Sequence, residues 1–378
     1  MEFYIETSEL QRIVRSLDVV SKRNTNDFTG RILIEADSDK NIVSFISNNG
    51  SEAVTIESSK VKVKTSGELS IVYGKIVRFV SSFSPLENGI GLKEFCFKLS
   101  DNHLIISVKN SHENGKVSKG RLKLETFDTH TIQKPNPFKK TNFILNSIIV
   151  KTAITKVIYA IDQNETKQFI QGMCIRFDKD NIYFAGTNGR MLSEYVVKNT
   201  GDLTEGSFIL KYGFIMGIKR IVNEDVQLFF EITKNRVTIK FNEVCYSGDI
   251  VVGHEYPEYY PALNDFSDTI IMDKSVLMGH LYPFMDVLDG DDYNRLTFSI
   301  KNNKVIIYND VASFEYDEPV DYKGELSVDI NGQFFIQTVE AIQDDTIKIC
   351  FSNSEGSLIF DSSNFEDQKA LITHIRRR

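Results

Sequence analysis

The 378 residues contain no tryptophan, only seven prolines and only four cysteines, and each shortage excludes something. Cys96, Cys174, Cys245 and Cys350 lie far apart, form no CxxC, and three of them sit in apolar strand-like runs; the six histidines show no ligand spacing. A disulfide framework, a zinc site and a thiol redox centre are set aside in favour of buried reduced thiols, and neither metal nor cofactor is expected. No apolar run approaches the roughly 18 residues of a membrane span. The opening Met1-Glu-Phe-Tyr-Ile-Glu reads as a strand and not as the charged-then-apolar form of a signal peptide, so a cytoplasmic location without a membrane partner is expected. The phosphate-cradling loops GxxxxGK[ST] and GxGxxG are missing, as is GxSxG, and catalysis is not expected.

What is there points to repeats. The length suits two or three domains, and 41% hydrophobic with 25% charged residues is a globular composition. Phe (27) and Tyr (15) join Val and Ile in short alternating runs that favour strands. Three segments open alike, with an apolar strand, a polar capping residue and an amphipathic helix: Phe3-Tyr-Ile then Thr7-Ser8 and a helix from Glu9 to about Ser21; Phe143-Ile-Leu then Asn146-Ser147 and a helix from Ile148 to about Ile161; Ile270-Ile-Met then Asp273-Lys-Ser275 and a helix from Val276 to about Leu288. A second signature follows in each. Gly67-Glu-Leu-Ser-Ile, Gly206-Ser-Phe-Ile-Leu and Gly324-Glu-Leu-Ser-Val precede helices near 73–82, 212–222 and 332–342. The period is roughly 120–140 residues. Alternating runs with turns at Asn48-Asn-Gly50, Asn188-Gly189 and Asn302-Asn303 mark antiparallel hairpins. Linkers are expected near His130–Lys140, which holds Pro135 and Pro137, and near Ala262–Ser267. The expected domains are 1–135, 141–264 and 268–378.

A net charge of −8 argues at first sight against a nucleic-acid partner, but location decides binding. Arg12, Arg15, Lys22 and Arg23 fall away from the apolar stripe Leu10, Ile13, Val14 and Leu17. Lys75 and Arg78 oppose Ile76, Phe79 and Val80. Lys151 and Lys156 decorate one helix of the middle segment, and Lys219 and Arg220 the other. A charged helix face is ordinarily only a solvated one. Four equivalent helices that favour cations within an acidic chain instead suggest a basic inner and an acidic outer surface. The third segment departs, with Asp286, Asp289, Asp291, Asp292 and Glu340 at or near its helices. Contacts confined to phosphates would be independent of sequence and sensitive to salt.

The chain resembles the bacterial sliding clamp, the β subunit of the replicative DNA polymerase III. Ile170-Gln-Gly172-Met173 and Ala185-Gly-Thr187-Asn-Gly189-Arg-Met-Leu192-Ser193 are similar to the family's Asn-Gly-Met and Ala-Thr-Asp-Gly-His-Arg-Leu-Ala blocks. Gly253-His-Glu-Tyr-Pro257-Glu-Tyr259 resembles Gly-x-Phe-Pro-Asp-Tyr, and Thr373-His-Ile375-Arg376 stands where the family has Met-Pro-Met-Arg. The resemblance implies an α+β fold: three DNA-clamp modules, each of two helices packed on antiparallel sheets, assembling as a ring. It implies a head-to-tail homodimer around double-stranded DNA, a clamp-loader ATPase that opens it, and a DNA polymerase tethered through a peptide groove between the second and third modules. Carried over, the groove comprises Ile170, Thr187, Gly189, Arg190, Leu192, Pro257, Ala262, Phe334, Ser357, Ile375 and Arg376. The structural alternative for Ile170 and Leu192 is plain core, and for Gly189 the glycine its turn requires.

Departures bear on specificity. Arg190-Met191 replaces a His-Arg pair, Pro261-Ala262 a more basic pair, and the tail ends Arg376-Arg-Arg378. A groove preferring more acidic peptides is expected, in a specialised clamp such as a phage would encode. Ring closure is expected at an edge strand bearing Arg121, Leu122 and Leu124, facing an acidic third module. The rival reading is a non-catalytic β-rich structural protein with no DNA role, which has no reason to keep basic helix faces.

Overall fold

The computed structural model describes all residues except 88–90, 113–115, 200–204, 286–293, 311, 317–318, 353–355, 363–366 and 377–378. The first repeat runs β1 (Glu2–Glu6), α1 (Thr7–Leu17), β2 (Arg31–Asp37), β3 (Ile42–Asn48), β4 (Glu52–Ser58), β5 (Val61–Thr65), β6 (Gly67–Val72), α2 (Tyr73–Val80), β7 (Gly91–Ser100), β8 (His103–Ser111) and β9 (Val117–Glu125). The second runs β10 (Phe143–Asn146), α3 (Ser147–Val157), β11 (Gly172–Phe177), β12 (Asn181–Thr187), β13 (Met191–Lys198), β14 (Gly206–Lys211), α4 (Tyr212–Ile221), β15 (Gln227–Ile232), β16 (Arg236–Phe241) and β17 (Val244–Asp249). The third runs β18 (Asp268–Asp273), α5 (Lys274–Met285), β19 (Arg295–Lys301), β20 (Lys304–Tyr308), β21 (Ser313–Glu315), β22 (Leu326–Asn331), α6 (Gly332–Ala341), β23 (Thr346–Phe351), β24 (Leu358–Ser362) and β25 (Gln368–Ile372). Both signatures therefore recur in order, a helix following each of the six marked strands.

The chain divides into two compact units. One comprises Met1–Ser147 with Met216–Ile250, the other Ile148–Ile215 with Val251–Arg378. The first unit holds a five-stranded sheet, β5-β1-β7-β8-β9, and an eight-stranded sheet, β10-β15-β16-β17-β4-β3-β2-β6. The second holds an eight-stranded sheet, β14-β11-β12-β13-β25-β24-β23-β18, and a four-stranded sheet, β21-β20-β19-β22. Strands of the middle repeat thus enter both units, joined to the first repeat by antiparallel β4·β17 and to the third by antiparallel β13·β25.

In the first unit, Phe3 stacks on Phe97 at 4.7 Å and meets Phe45 edge-on at 6.5 Å. Leu10, Ile13, Val14 and Leu17 of α1 are all buried, as their helical spacing predicts; each such side chain contributes roughly 1.5–3 kcal/mol by burial. Tyr73 at the start of α2 donates its hydroxyl to the Val14 carbonyl at 2.7 Å, tying the two helices together. The next residue must be small, because a Cβ on Gly74 would lie 2.1 Å from the Arg23 carbonyl oxygen. In the second unit, Phe335 of α6 sits 6.1 Å from Phe298 and 5.4 Å from Phe360, among buried Leu277, Leu281 and Val339.

Helix starts depart from expectation in places. α1 begins at Thr7 itself, and its N-cap is Glu6 with no side-chain cap. Asp273 does cap, accepting the Val276 N–H at 2.9 Å. Ser147 instead bonds across to the chain at 224–226, donating to the Glu224 carbonyl and accepting the Val226 N–H.

The same turn closes the same hairpin in every repeat. Asn48 pairs with Ala53, Thr187 with Leu192 and Tyr308 with Ser313. In each, the asparagine after the first residue donates its N–H to a carbonyl three residues on (Asn49 to Glu52 at 3.0 Å, Asn188 to Met191 at 3.2 Å, Asn309 to Ala312 at 2.9 Å). Its side-chain oxygen accepts the N–H of that same residue, at 2.9, 2.8 and 2.7 Å. An asparagine that closes its own turn in this way fixes the register of the strand that follows.

Candidate functional site

The residues carried over as a peptide groove all lie in the second unit, and three elements bring most of them together. The β12–β13 turn presents Thr187, Gly189, Arg190 and Leu192. Gly189 has a φ of +83°, and a Cβ there would come within 4.0 Å of the Ile170 side chain, so turn and Ile170 are neighbours. The tail lies beside them: the N–H and hydroxyl of Thr373 both donate to the Arg190 carbonyl, at 2.9 and 3.1 Å. Two residues on, the Ile375 N–H donates to the Asp329 carbonyl, two residues before the Asn331 cap of α6. On α6, the Thr338 hydroxyl reaches the Met191 sulfur at 3.6 Å. Phe334, one turn earlier on that face, packs half-buried against the core. Ser357 precedes Leu358, the partner of Ile372, and so adjoins the tail.

The segment after β17 packs beside these residues. Leu263 packs with Leu192, Leu371 and Ile359, while Tyr259 and Phe266 lie against that cluster. Phe169 and His254 rings stand 5.8 Å apart, which places Pro257 and Ala262, both exposed, in this same segment over β11–β13. Ile170 and Leu192 are only 4% and 5% exposed, so they are core residues that present little of their own surface.

Tyr259 and Glu194 were not among the expected site residues, yet they fasten this segment to β13. The Tyr259 hydroxyl donates to Glu194 Oε2 at 2.6 Å. Burial raises the Glu194 carboxyl above the ordinary carboxylate range, and the bond from Tyr259 works against that. A glutamate amid apolar neighbours in Met191–Tyr195 was the available signal. Arg190 and Arg376 are exposed and make no ion pair among the described residues; Arg377 and Arg378 lie outside them.

The cations expected to face DNA divide into three classes. Arg15, Lys22, Lys75, Arg78, Lys219 and Arg220 are exposed, Lys151 is half-buried, and none forms an ion pair among the described residues. Arg12 is engaged at home, on Glu9 at 2.8 Å, and Arg23 clasps Asp18 at 2.7 and 2.8 Å. Lys156 contradicts the expectation. It is 6% exposed, bonded to the Asp367 carboxylate at 3.3 Å, and its ammonium lies 4.6 Å from the centre of the Tyr195 ring. A lysine so covered is an internal fastening between α3, β13 and the chain before β25. The acidic positions expected at 286–292 lie outside the described residues.

The five-stranded sheet carries exposed cations as well as exposed Glu94 and Glu125. Lys93, Lys98, Lys109, Lys119, Arg121 and Lys123 are exposed there, with Lys109 and Lys119 directly opposite each other. β9 is an edge strand, as expected, and Arg121 is exposed on it; Leu122 is half-buried, but Leu124 is 3% exposed and faces the core, so it is unavailable to a partner. The four cysteines are free thiols, and burial pushes Cys174 up to about 12 and Cys245 and Cys350 up to about 11, which disfavours the thiolate at those three. Among the described residues no cluster of His, Cys, Asp and Glu is placed to hold a metal, and no helix is long and apolar enough to cross a membrane.

Residues 144–258 match the family model of the DNA polymerase III beta subunit, central domain. The chain is 21% identical over 327 residues to a beta sliding clamp of Buchnera aphidicola, covering 84% of this chain and 85% of that one. It is 21% identical over 382 residues to the beta sliding clamp of Mycoplasma capricolum, covering 96% of each. Its fold matches the DNA polymerase sliding clamp of Bacillus subtilis with a TM-score of 0.87 at 15% identity, and the DNA polymerase III beta chain of Streptococcus pneumoniae with 0.87 at 14%, in both cases over 100% of both chains. The middle repeat thus matches the central domain of the DNA polymerase III beta subunit, and in fold and repeat order the whole chain is similar to the bacterial sliding clamps, at a divergent level of sequence.

Proposed function

We propose that the chain is a DNA polymerase processivity factor: a homodimeric ring that encircles double-stranded DNA, slides along it, and tethers a polymerase through the groove built from the β12–β13 turn, the tail and α6. The observation that carries this reading is the threefold recurrence of one strand–helix plan along a chain that matches clamp structures over its full length. Enclosure would explain how an acidic protein holds DNA. A closed ring needs no tight grip, and the exposed cations of α1, α2 and α4 need only soften the repulsion between protein and phosphates. In this reading the chain performs no chemistry, and opening is the work of a clamp-loader ATPase. The modules would be 1–135, 141–264 and 268–378.

The groove suits a short peptide whose apolar side chains reach Ile170, Leu192 and Phe334 while its backbone is fixed by polar groups at the rim. Arg190 and Arg376 at that rim favour a peptide with acidic flanks.

Loading the protein on nicked circular DNA with a compatible loader, then linearising the DNA, tests enclosure directly. The expected outcome is retention on the circle and loss from the cut molecule. Equal retention on both would mean surface binding and would end the proposal.

A further inference from the structure

One face of the five-stranded sheet gathers four cations around a trough. Phe3, Phe97 and Ile106 form a row across its inner side, where all three are fully buried. One residue along each strand, Tyr4, Cys96, Ser107 and Arg121 form a row across the other side. Two small side chains between a tyrosine and an arginine leave a concavity of about 630 Å³. Its floor is half-buried Tyr4, Cys96 and Ser107, and its rim carries Lys93, Lys109, Lys119 and Arg121, all exposed.

Strand register brings the lysines together. Lys109 stands directly opposite Lys119. On its other side the register of β7 shifts between Leu92 and Phe95, so that Lys93 and Glu94 both fall across from Lys109. Like charges directly opposite destabilise a sheet, so stability gives no reason for this cluster. Elsewhere on the same face the chain supplies its own counter-charge: Glu2 holds Lys64 at 3.1 Å and Lys98 at 3.3 Å. The four rim cations and Glu94 make no ion pair among the described residues.

A partner for this rim must bring negative charge, and the trough discriminates between anionic chains. Single-stranded nucleic acid is held by stacking its bases on aromatic rings. The ring in the trough, Tyr4, has the Lys64 ammonium 4.7 Å from its centre, and its hydroxyl accepts from Lys64 at 3.0 Å. The Glu94 carboxylate, also on the rim, would meet an unbroken run of phosphates unfavourably, whereas a peptide can set an uncharged side chain there. The half-buried floor suits one small apolar side chain among the polar contacts.

We propose that this trough is a docking site for an acidic segment of a partner protein, its carboxylates on Lys93, Lys109, Lys119 and Arg121 and an apolar side chain against Cys96 and Ser107. The inference does not rest on the ring reading, and the site is distinct from the peptide groove, whose residues belong to the other unit.

Fluorescence anisotropy of the full chain with a labelled peptide, Glu-Asp-Glu-Leu-Glu-Asp-Glu, tests it, beside the same peptide with Gln and Asn in place of Glu and Asp. The acidic peptide should bind and the amide peptide should not. Lys93→Ala combined with Lys109→Ala should weaken binding roughly ten-fold or more, since two charge-assisted contacts are lost. The urea midpoint of that variant should equal or exceed the native one, because a like-charged pair has been removed, and its self-association by sedimentation should be unaltered. No binding, or equal binding by the native chain and the variant, overturns the inference. A lowered midpoint would make the lysines structural, and weakened self-association would assign them to a contact between copies; either result also overturns it. Tighter binding of a thymidine oligonucleotide of the same length, lost in the same variant, would make the occupant a nucleic acid and end the proposal of an acidic protein segment.

Discussion

Counted from the last residue of the preceding strand, α2 of the first repeat and α6 of the third bury the same positions: Ile76 and Val77 in one, Phe335 and Ile336 in the other, then Val80 and Val339. Their remaining positions have diverged. The third residue is exposed Lys75 in α2 and half-buried Phe334 in α6; the sixth is exposed Arg78 in α2 and half-buried Gln337 in α6. Packing therefore dictates one stripe and leaves the other free. A cation at Lys75 is not demanded by the fold, since the same fold accommodates phenylalanine there, and the two helices differ at that position: one keeps charge at its surface, the other places an apolar side chain at the proposed groove.

The sharpest way to probe that difference is the second position, Gly74 against Gln333. A methyl group at Gly74 would collide with the Arg23 backbone, which cannot yield as a side chain can. Gly74→Ala is expected to cost about 2–3 kcal/mol, whereas Gln333→Ala at the exposed counterpart should stay within about 0.5 kcal/mol. Urea denaturation of both variants checks this, and equal losses would mean that the two helix starts are under the same constraint. Phe334→Ala comes next, at about 2 kcal/mol, less than for a fully buried phenylalanine because the ring is only half covered. The same variant should lose affinity for an acid-flanked apolar peptide by calorimetry; full stability with unchanged binding would remove Phe334 from the groove. Smaller again is Lys274→Met. The Lys274 ammonium donates to the Glu340 and Ile342 carbonyls at the end of α6, and burial holds its pKa below the ordinary lysine value. Loss of that capping should cost about 1 kcal/mol and leave DNA retention unaltered, the reverse of what is expected at Lys75.

The repeats were legible because their signals are local. An apolar strand, a polar junction and a helical stripe occupy about twenty consecutive residues, and the asparagine turns need only six. What was not legible depended on distance. Lys156 looks like any lysine beside an apolar stripe, but its partner Asp367 is 211 residues away in sequence, and nothing near Lys156 announces a carboxylate above it. Leu124 was legible in the sequence, since strand alternation puts it on the same face as Leu122 and the exposed positions fall at Arg121 and Lys123; an edge strand still has an inner face. Arg12 was readable too, with Glu9 three residues before it on the same helix face. The division of the middle repeat between two units was beyond reach, because it follows from β4·β17 and β13·β25, pairings between segments about 180 residues or more apart.

The last contrast should leave stability alone. Lys75→Ala with Arg78→Ala removes two exposed cations that make no ion pair among the described residues, and unfolding should shift by no more than about 0.5 kcal/mol. Its effect belongs to the salt dependence of DNA retention. Removing one cation from a phosphate lowers the slope of log affinity against log salt by about 0.9, so two positions in two copies lower it by up to about 4, measured on nicked circles across a salt series. Gln337→Ala, at the counterpart of Arg78, should leave the slope where it was. If the double variant keeps the native slope, the cations of α2 do not meet phosphates, and the contrast between α2 and α6 shrinks to a difference in packing alone. If it lowers the slope while the protein still stays on closed circles at low salt, charge and enclosure separate: the cations govern how closely the duplex is held, and topology governs whether it is held at all.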